Sequence, residues 1–363
     1  MTEELLQPRL EIIDTEKSPL KSALITPCYL QSRVGNAVTV SRIESSLRQL
    51  GCEVEVFSLD AMGANDVIAA VKAYCPDVVH AFHAIHCGAI AMEAAKELSI
   101  PYVVGITGTD IYREESFTEV VDRQVLENAS ALIVFHADIG KRLTELVPPL
   151  RERIRVIPQG VDLPAEEGYE SESSFFTFLF PAGLRPVKNN LFPFKPLEQL
   201  WHSHPQVRLV LAGPVLESSY AREVLEAVAA HPFAAWLGEV DHLEMPTLYR
   251  ECQVVLNCSL SEGGMANCLL EGMAHAKAVL VSDVEGNRSL VTDAVNGLLF
   301  ASEEEFIAKA KRLIVDSELR KQLGERGLEY VKQYCLPEKE ARACLDLYMK
   351  ISEKMGNIDE FMS

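Results

Sequence analysis

Apolar residues in this chain fall into short runs separated by stretches with helical spacing. Residues 23–26 (ALIT), 53–59 (EVEVFSL), 78–81 (VVHA), 103–106 (VVGI), 131–134 (ALIV) and 156–157 read as buried strands. Between them, residues 38–50, 68–74 and 89–97 repeat apolar positions with a helical period. Near-continuous apolar strands alternating with helices predict a parallel sheet covered on both faces. The pattern breaks at residues 163–174 (LPAEEGYESESS), a polar run with Pro, Gly and Glu that reads as a linker. A second series follows, with strands at 175–180, 207–211, 234–237, 254–257 and 279–281. A turn at Asn296-Gly297 leads into a last short strand, and the chain is helical from Glu303 with a break at 334–337.

The expected class is therefore α/β, with two Rossmann-like domains facing a central cleft and a C-terminal helical tail. The expected boundaries are an N-terminal extension at 1–21, a first domain at 22–163, a linker at 164–174, a second domain at 175–334 and the tail at 335–363. A length of 363 residues suits two domains, each large enough for its own core.

Charge narrows the partners. Fifty-three acidic against 34 basic residues leave a formal net charge of −19, which disfavours nucleic acid and anionic lipid surfaces. A small anionic ligand stays compatible, because a few bases and helix N-termini can build a local positive pocket. The nine cysteines are scattered without C-x-x-C or Cys/His ligand spacing, so neither a zinc site nor a disulfide framework is expected. The N-terminus lacks an apolar signal-peptide core, and no run of 18 uncharged apolar residues spans a bilayer. These features predict a cytoplasmic protein without an integral membrane segment. Nothing in them bears on oligomeric state.

In open parallel sheets ligands bind at the carboxyl ends of strands, so the chemistry is expected in the loops there. Gly35 and Asn36 precede a helix; they either connect plainly or present N–H groups to a phosphate. Both dinucleotide and P-loop fingerprints are missing, which disfavours a dehydrogenase. His80, His83 and His86 recur every three residues, a spacing that does not converge them on a metal at a strand end. Each is a structural histidine or one lining the cleft. Asp110 either caps a helix or accepts from sugar hydroxyls. In the second domain, Arg185 and Lys188 follow the first strand and can neutralise a diphosphate. The richest stretch is residues 257–273 (NCSLSEGGMANCLLEGM), where a strand end meets two glycines and then a helix. Gly263 and Gly264 let backbone approach a ligand, while Glu262 and Glu271 are acceptors suited to hydroxyls. Glu271 lies in an apolar run, where an unpaired charge is costly.

These residues resemble a known family. Ser259, Glu262, Gly263 and Glu271 through Val279 are similar to the hallmark of retaining GT-B glycosyltransferases of family four, and Asp283–Asn287 and Asn296–Phe300 match its next landmarks. Residues 35–39 (GNAVT), 108–111 (GTDI), 184–188 (LRPVK), 213–214 (GP) and 237–239 (LGE) look like the small glycosyltransferase-one-domain-containing proteins, whose relatives include the selenosugar-synthase type. The resemblance spans residues 22–335, weakly in the first half. It implies a metal-independent, retaining hexosyltransferase that needs no cofactor and takes a nucleotide-diphosphate sugar, a UDP-sugar first of all. Its acceptor is a small molecule or glycan. Arg185 and Lys188 would hold the diphosphate, Glu262 the sugar and Glu271 the ribose. Gly263, Gly264 and Met265 would supply backbone near sugar and phosphate, Gly35 would close from the first domain, and Gly213 and Gly238 would sit near the base. Two other readings remain: transfer to a selenium, sulfur or phosphate nucleophile, and a silent nucleotide-sugar-binding protein.

Three departures from the family pattern stand out. The two glutamates are nine residues apart where the family usually has eight, through an extra Gly. Arg185 and Lys188 are three apart where five is common, as in the narrower group. Thr107 stands where many relatives carry a histidine near the reacting carbon, and His83 is the substitute candidate.

Overall fold

The computed structural model describes residues 18–29, 35–107, 110–111, 123–165 and 174–362, with backbone alone at residue 35 and residues 355–362. Twelve described strands form two six-stranded sheets, and every strand pair is parallel. The first sheet holds β1 (Lys21–Thr26), β2 (Glu53–Ser58), β3 (Val78–Phe82), β4 (Tyr102–Ile106), β5 (Ala131–Val134) and β6 (Ile154–Val156), ordered β2-β1-β3-β4-β5-β6. Helices α1 (Gly35–Gln49), α2 (Ala64–Tyr74), α3 (Ala84–Leu98), α4 (Arg123–Asn128) and α5 (Ala137–Leu146) cover it. The apolar runs become strands for the expected reason: β3, β4 and β5 are buried along their whole length, so both faces need apolar side chains.

The second sheet holds β7 (Phe176–Pro181), β8 (Val207–Ala212), β9 (Ala234–Trp236), β10 (Val254–Asn257), β11 (Ala278–Ser282) and β12 (Leu298–Phe300). Its order is β12-β11-β10-β7-β8-β9. Its helices are α6 (Phe194–Trp201), α7 (Ser218–Ala230), α8 (Met245–Glu251), α9 (Asn267–Ala274), α10 (Glu285–Arg288), α11 (Glu303–Val315) and α12 (Ser317–Tyr334). In this order β7 lies between β10 and β8, so the chain reverses its direction of winding at the β7–β10 pair. Loops leaving two such strands diverge and open a crevice at their carboxyl ends.

The C-terminal segment is the expected helical tail, and its packing is specific. Helix α13 (Pro337–Met362) returns to the first domain and completes its core. Ala341, Cys344, Leu345, Tyr348 and Ile351 are buried with Leu24, Val40, Ile43, Leu47 and Val54. On the same face, Arg42 of α1 makes two hydrogen bonds to Glu340, 2.8 Å from Nε and 3.2 Å from Nη2. The two chain crossings between the sheets touch. Val161 N–H donates to the Cys335 carbonyl at 2.8 Å. A Cβ on Gly160 would stand 2.8 Å from Glu340 Oε2 and 2.9 Å from Pro337 Cα, so only glycine fits there.

Candidate active site

A cavity of about 650 Å³ lies between the two sheets. From the second domain it is lined by Arg185, Lys188, Gly213, Glu262, Gly263, Gly264, Met265 and Glu271, and from the first by Asn36, Thr107, Phe135 and Gln159. Arg185 and Lys188 come from the loop after β7, and Glu262 to Met265 from the loop after β10. The winding reversal at that strand pair is what brings them together. Arg185 precedes a single 3₁₀ turn at Pro186–Lys188, and this turn sets the spacing of the two bases. Arg185 Nε is buried without a hydrogen-bond partner among the described residues.

Lys188 does not stand free for an anion. Its ammonium donates to Glu262 Oε1, which also accepts from Ser259 Oγ at 2.7 Å and Asn257 Nδ2 at 3.0 Å. All three donors converge on one oxygen. The second, Oε2, has no partner among the described residues. Burial alone would raise the Glu262 carboxyl; the Lys188 ammonium and these hydrogen bonds outweigh it and hold the group below its ordinary value.

Glu271, on α9, solves the problem of a carboxylate in an apolar run with a phenol. Tyr249 of α8 donates to Glu271 Oε2 at 2.7 Å, and His242 Nδ1 lies 4.0 Å from Oε1. Burial raises the Glu271 carboxyl, with the Tyr249 bond and His242 opposing it. Burial likewise raises Tyr249 well above the ordinary phenol range, so it stays a proton donor. Neither Tyr249 nor His242 was picked out in the sequence. They precede Glu271 by 22 and 29 positions with no motif to link them.

The glycines divide. Gly213 lines the cavity, and a Cβ there would stand 2.4 Å from the Ala182 carbonyl oxygen, so the strand end passes too close for any other residue. Gly238 is off the cavity wall and acts through its carbonyl, which accepts from Gly213 N–H at 2.7 Å. Gly35 opens α1 beside Asn36, which is on the wall.

The histidines hold structural positions among the described residues. His83 is buried, is absent from the cavity wall, and caps α3 by accepting from His86 N–H at 3.5 Å. β3 runs one residue further than expected, and the chain turns at His83 itself (φ 98°). His80 is inside β3, where Nδ1 lies 2.6 Å from the Tyr348 hydroxyl and burial lowers its pKa to about 3. Asp110 is buried and accepts from Ala84 N–H at 3.0 Å, at the start of α3. Gly108 and Thr109 lie outside the described residues.

Comparison with known proteins places this architecture. The model for glycosyl transferases group 1 matches residues 166–330, and that for the glycosyl transferase 4-like domain matches residues 62–160. The chain belongs to the group 1 glycosyltransferases. It is similar to glycosyltransferase 1 domain-containing protein 1 of Xenopus tropicalis, at 24% identity over 83% of this chain and 90% of that one. It is also similar to the alpha-maltose-1-phosphate synthase of Mycolicibacterium smegmatis, at 24% identity over 92% of this chain and all of the other. Among solved structures, Anabaena Alr3699/HepE in complex with UDP and glucose superposes with a TM-score of 0.75 at 17% identity, covering 92% of this chain and 99% of that one. The sucrose-phosphate synthase of Thermosynechococcus elongatus gives 0.76 at 18%, covering 91% and 98%. This glycosyltransferase has the GT-B fold, two Rossmann-like domains across a cleft, and its cavity sits in that cleft.

Proposed function

We propose that this glycosyltransferase moves a hexosyl group from a UDP-sugar to a small-molecule or glycan acceptor, with retention at the anomeric carbon and without a metal ion. One observation carries the reading: Arg185, Lys188, Glu262 and Glu271 share one wall of the cavity, where Arg185 Nε, Glu262 Oε2 and Glu271 Oε1 have no hydrogen-bond partner among the described residues. Glu271 Oε1 suits a ribose hydroxyl and Glu262 Oε2 a hydroxyl of the sugar. Arg185 and Lys188, on the same wall, suit the diphosphate. As the bond to the anomeric carbon breaks, the leaving diphosphate gains charge, which these two cations stabilise without reorganising. The positive end of α1 faces the same space from the first domain. The acceptor attacks from the side the diphosphate leaves, and its proton passes to a diphosphate oxygen. That route asks for no carboxylate nucleophile.

A panel of nucleotide diphosphates and nucleotide sugars, read by thermal shift and then by transfer, tests this. A nucleotide at 100 times its dissociation constant should stabilise the protein by about 2.7 kcal/mol. UDP should shift it most, and transfer should persist in EDTA with the donor's anomeric configuration kept in the product. Arg185→Ala should lower turnover by about 10²-fold, the cost typical of losing one charge-stabilising donor. The acceptor panel includes phosphorylated sugars and small thiols and selenols. No response to any nucleotide, or unimpaired transfer by Arg185→Ala, would overturn the proposal.

A further inference from the structure

The extra glycine between the two glutamates has a location that explains it. The loop Glu262–Met265 is held from behind and in front. Behind it, a Cβ on Gly286 would stand 2.2 Å from the Glu262 carbonyl oxygen, so α10 already touches the loop backbone and leaves no room for retreat. In front, a Cβ on Gly264 would meet Phe135 Cδ2 at 3.1 Å and Cε2 at 3.8 Å, with the Thr107 carbonyl oxygen at 3.7 Å. Phe135 and Thr107 follow strands β5 and β4 of the first domain. The Phe135 ring is buried within the second domain's own cluster, beside Met265, Leu269 and Leu270. The neighbouring contacts cross the cleft in the same place. Gln159 N–H points at Met265 Sδ at 3.3 Å, and the Gln159 side-chain amide donates to Asn267 Oδ1.

We infer that Gly264 is the seat on which the two domains close: its missing side chain admits the Phe135 ring, and that contact positions the first-domain wall of the cavity over the donor. The inference rests on the glycosyl-transfer reading for its consequence, but the seat itself is geometric. Gly264 is thus a positioning residue. A loop one residue shorter would not reach Phe135 in this way, and a side chain at 264 would hold the domains apart. The first-domain wall of the cavity, with Asn36, Thr107 and Gln159, would then be displaced from the sugar while Arg185, Lys188, Glu262 and Glu271 kept their places on the second domain. Displacement on the ångström scale is enough to cost about 10²-fold in rate.

Gly264→Val in the full chain tests this, with Gly264→Ala as a milder variant and Phe135→Ala as the compensating change. Gly264→Val should lower kcat by about 10²-fold and UDP affinity, read by calorimetry, by much less. Gly264→Ala should fall between it and wild type. Small-angle scattering with saturating UDP should show a larger radius of gyration for Gly264→Val than for wild type. Adding Phe135→Ala to Gly264→Val should restore both the compact radius and most of the turnover, which a general folding defect would not allow. Near-wild-type turnover in Gly264→Val, a loss of UDP affinity matching the loss of kcat, or no rescue by Phe135→Ala would each overturn the seat. If wild type neither binds nor transfers from any nucleotide sugar, the functional reading falls instead, and the radii of the unliganded proteins still decide the seat.

Discussion

Glu271 shows how one residue reconciles two demands. A ligand-binding carboxylate must keep acceptor capacity, yet a buried charge must be satisfied. Tyr249 takes one oxygen and leaves the other to the cavity. Tyr249→Phe should therefore raise the donor KM by about tenfold with kcat little changed, because a lost hydrogen bond to a buried charge costs about 1–3 kcal/mol. Initial-rate kinetics in donor concentration reads the split; a fall in kcat with KM unchanged would refute it. The two glutamates also titrate apart. Burial raises Glu271, so its charge is lost first as the pH falls, while Glu262 keeps its charge through the same window beside Lys188. Nucleotide affinity should be full above the raised Glu271 value and decline as the pH drops through it. Because the folded-state value is raised, ionised Glu271 costs stability near neutrality, and that cost disappears on acidification. Glu271→Gln should flatten the acid limb of UDP binding without lowering the melting temperature of the unliganded protein. A limb unchanged in Glu271→Gln would assign it elsewhere.

Among elements, α1 and α13 depend on each other. Arg42 and Glu340 have side chains only 6% and 2% exposed, and both guanidinium hydrogen bonds run to that one carboxylate. Removing one partner strands a buried charge, whereas replacing both by apolar groups of similar size does not. Arg42→Ala should destabilise by about 3–5 kcal/mol, and the pair Arg42→Met with Glu340→Leu should cost much less. Denaturant unfolding followed on the first domain measures both, and equal losses in the single and double variants would contradict the account. The position matters for the site as well. Arg42 lies two helical turns from Gly35, so the pair fixes the axis along which the start of α1 meets the cavity.

For the whole molecule, the C-terminal helix makes the two domains mutually dependent. Ending the chain at Tyr334 would uncover Leu24, Val40, Ile43 and Leu47 and leave His80 without Tyr348. Such a truncation should yield an aggregating first domain beside a second domain that still folds, as limited proteolysis followed by mass mapping would show; a soluble, intact first domain would refute it. Much of this architecture was legible in the linear pattern, because parallel strands buried on both faces write themselves as apolar runs. The loops after β7 and β10 were legible too, since bases and paired glycines at strand ends are rare in an acidic chain. What the sequence could not express were pairings between distant segments. Helical spacing in α13 shows an apolar face but not which domain that face covers. Tyr249 next to Glu271 depends on how α8 packs beside α9. The bond from His86 N–H to the His83 ring follows from the helix starting at once after β3, a boundary the apolar run does not mark. By itself the sequence determined the two sheets, the family and the residue types of the donor wall, because these follow from local periodicity and short motifs. Only the tertiary structure decided which oxygens of Glu262 and Glu271 remain unused and that Gly264 meets Phe135. Both depend on contacts between segments whose separation along the chain carries no signal.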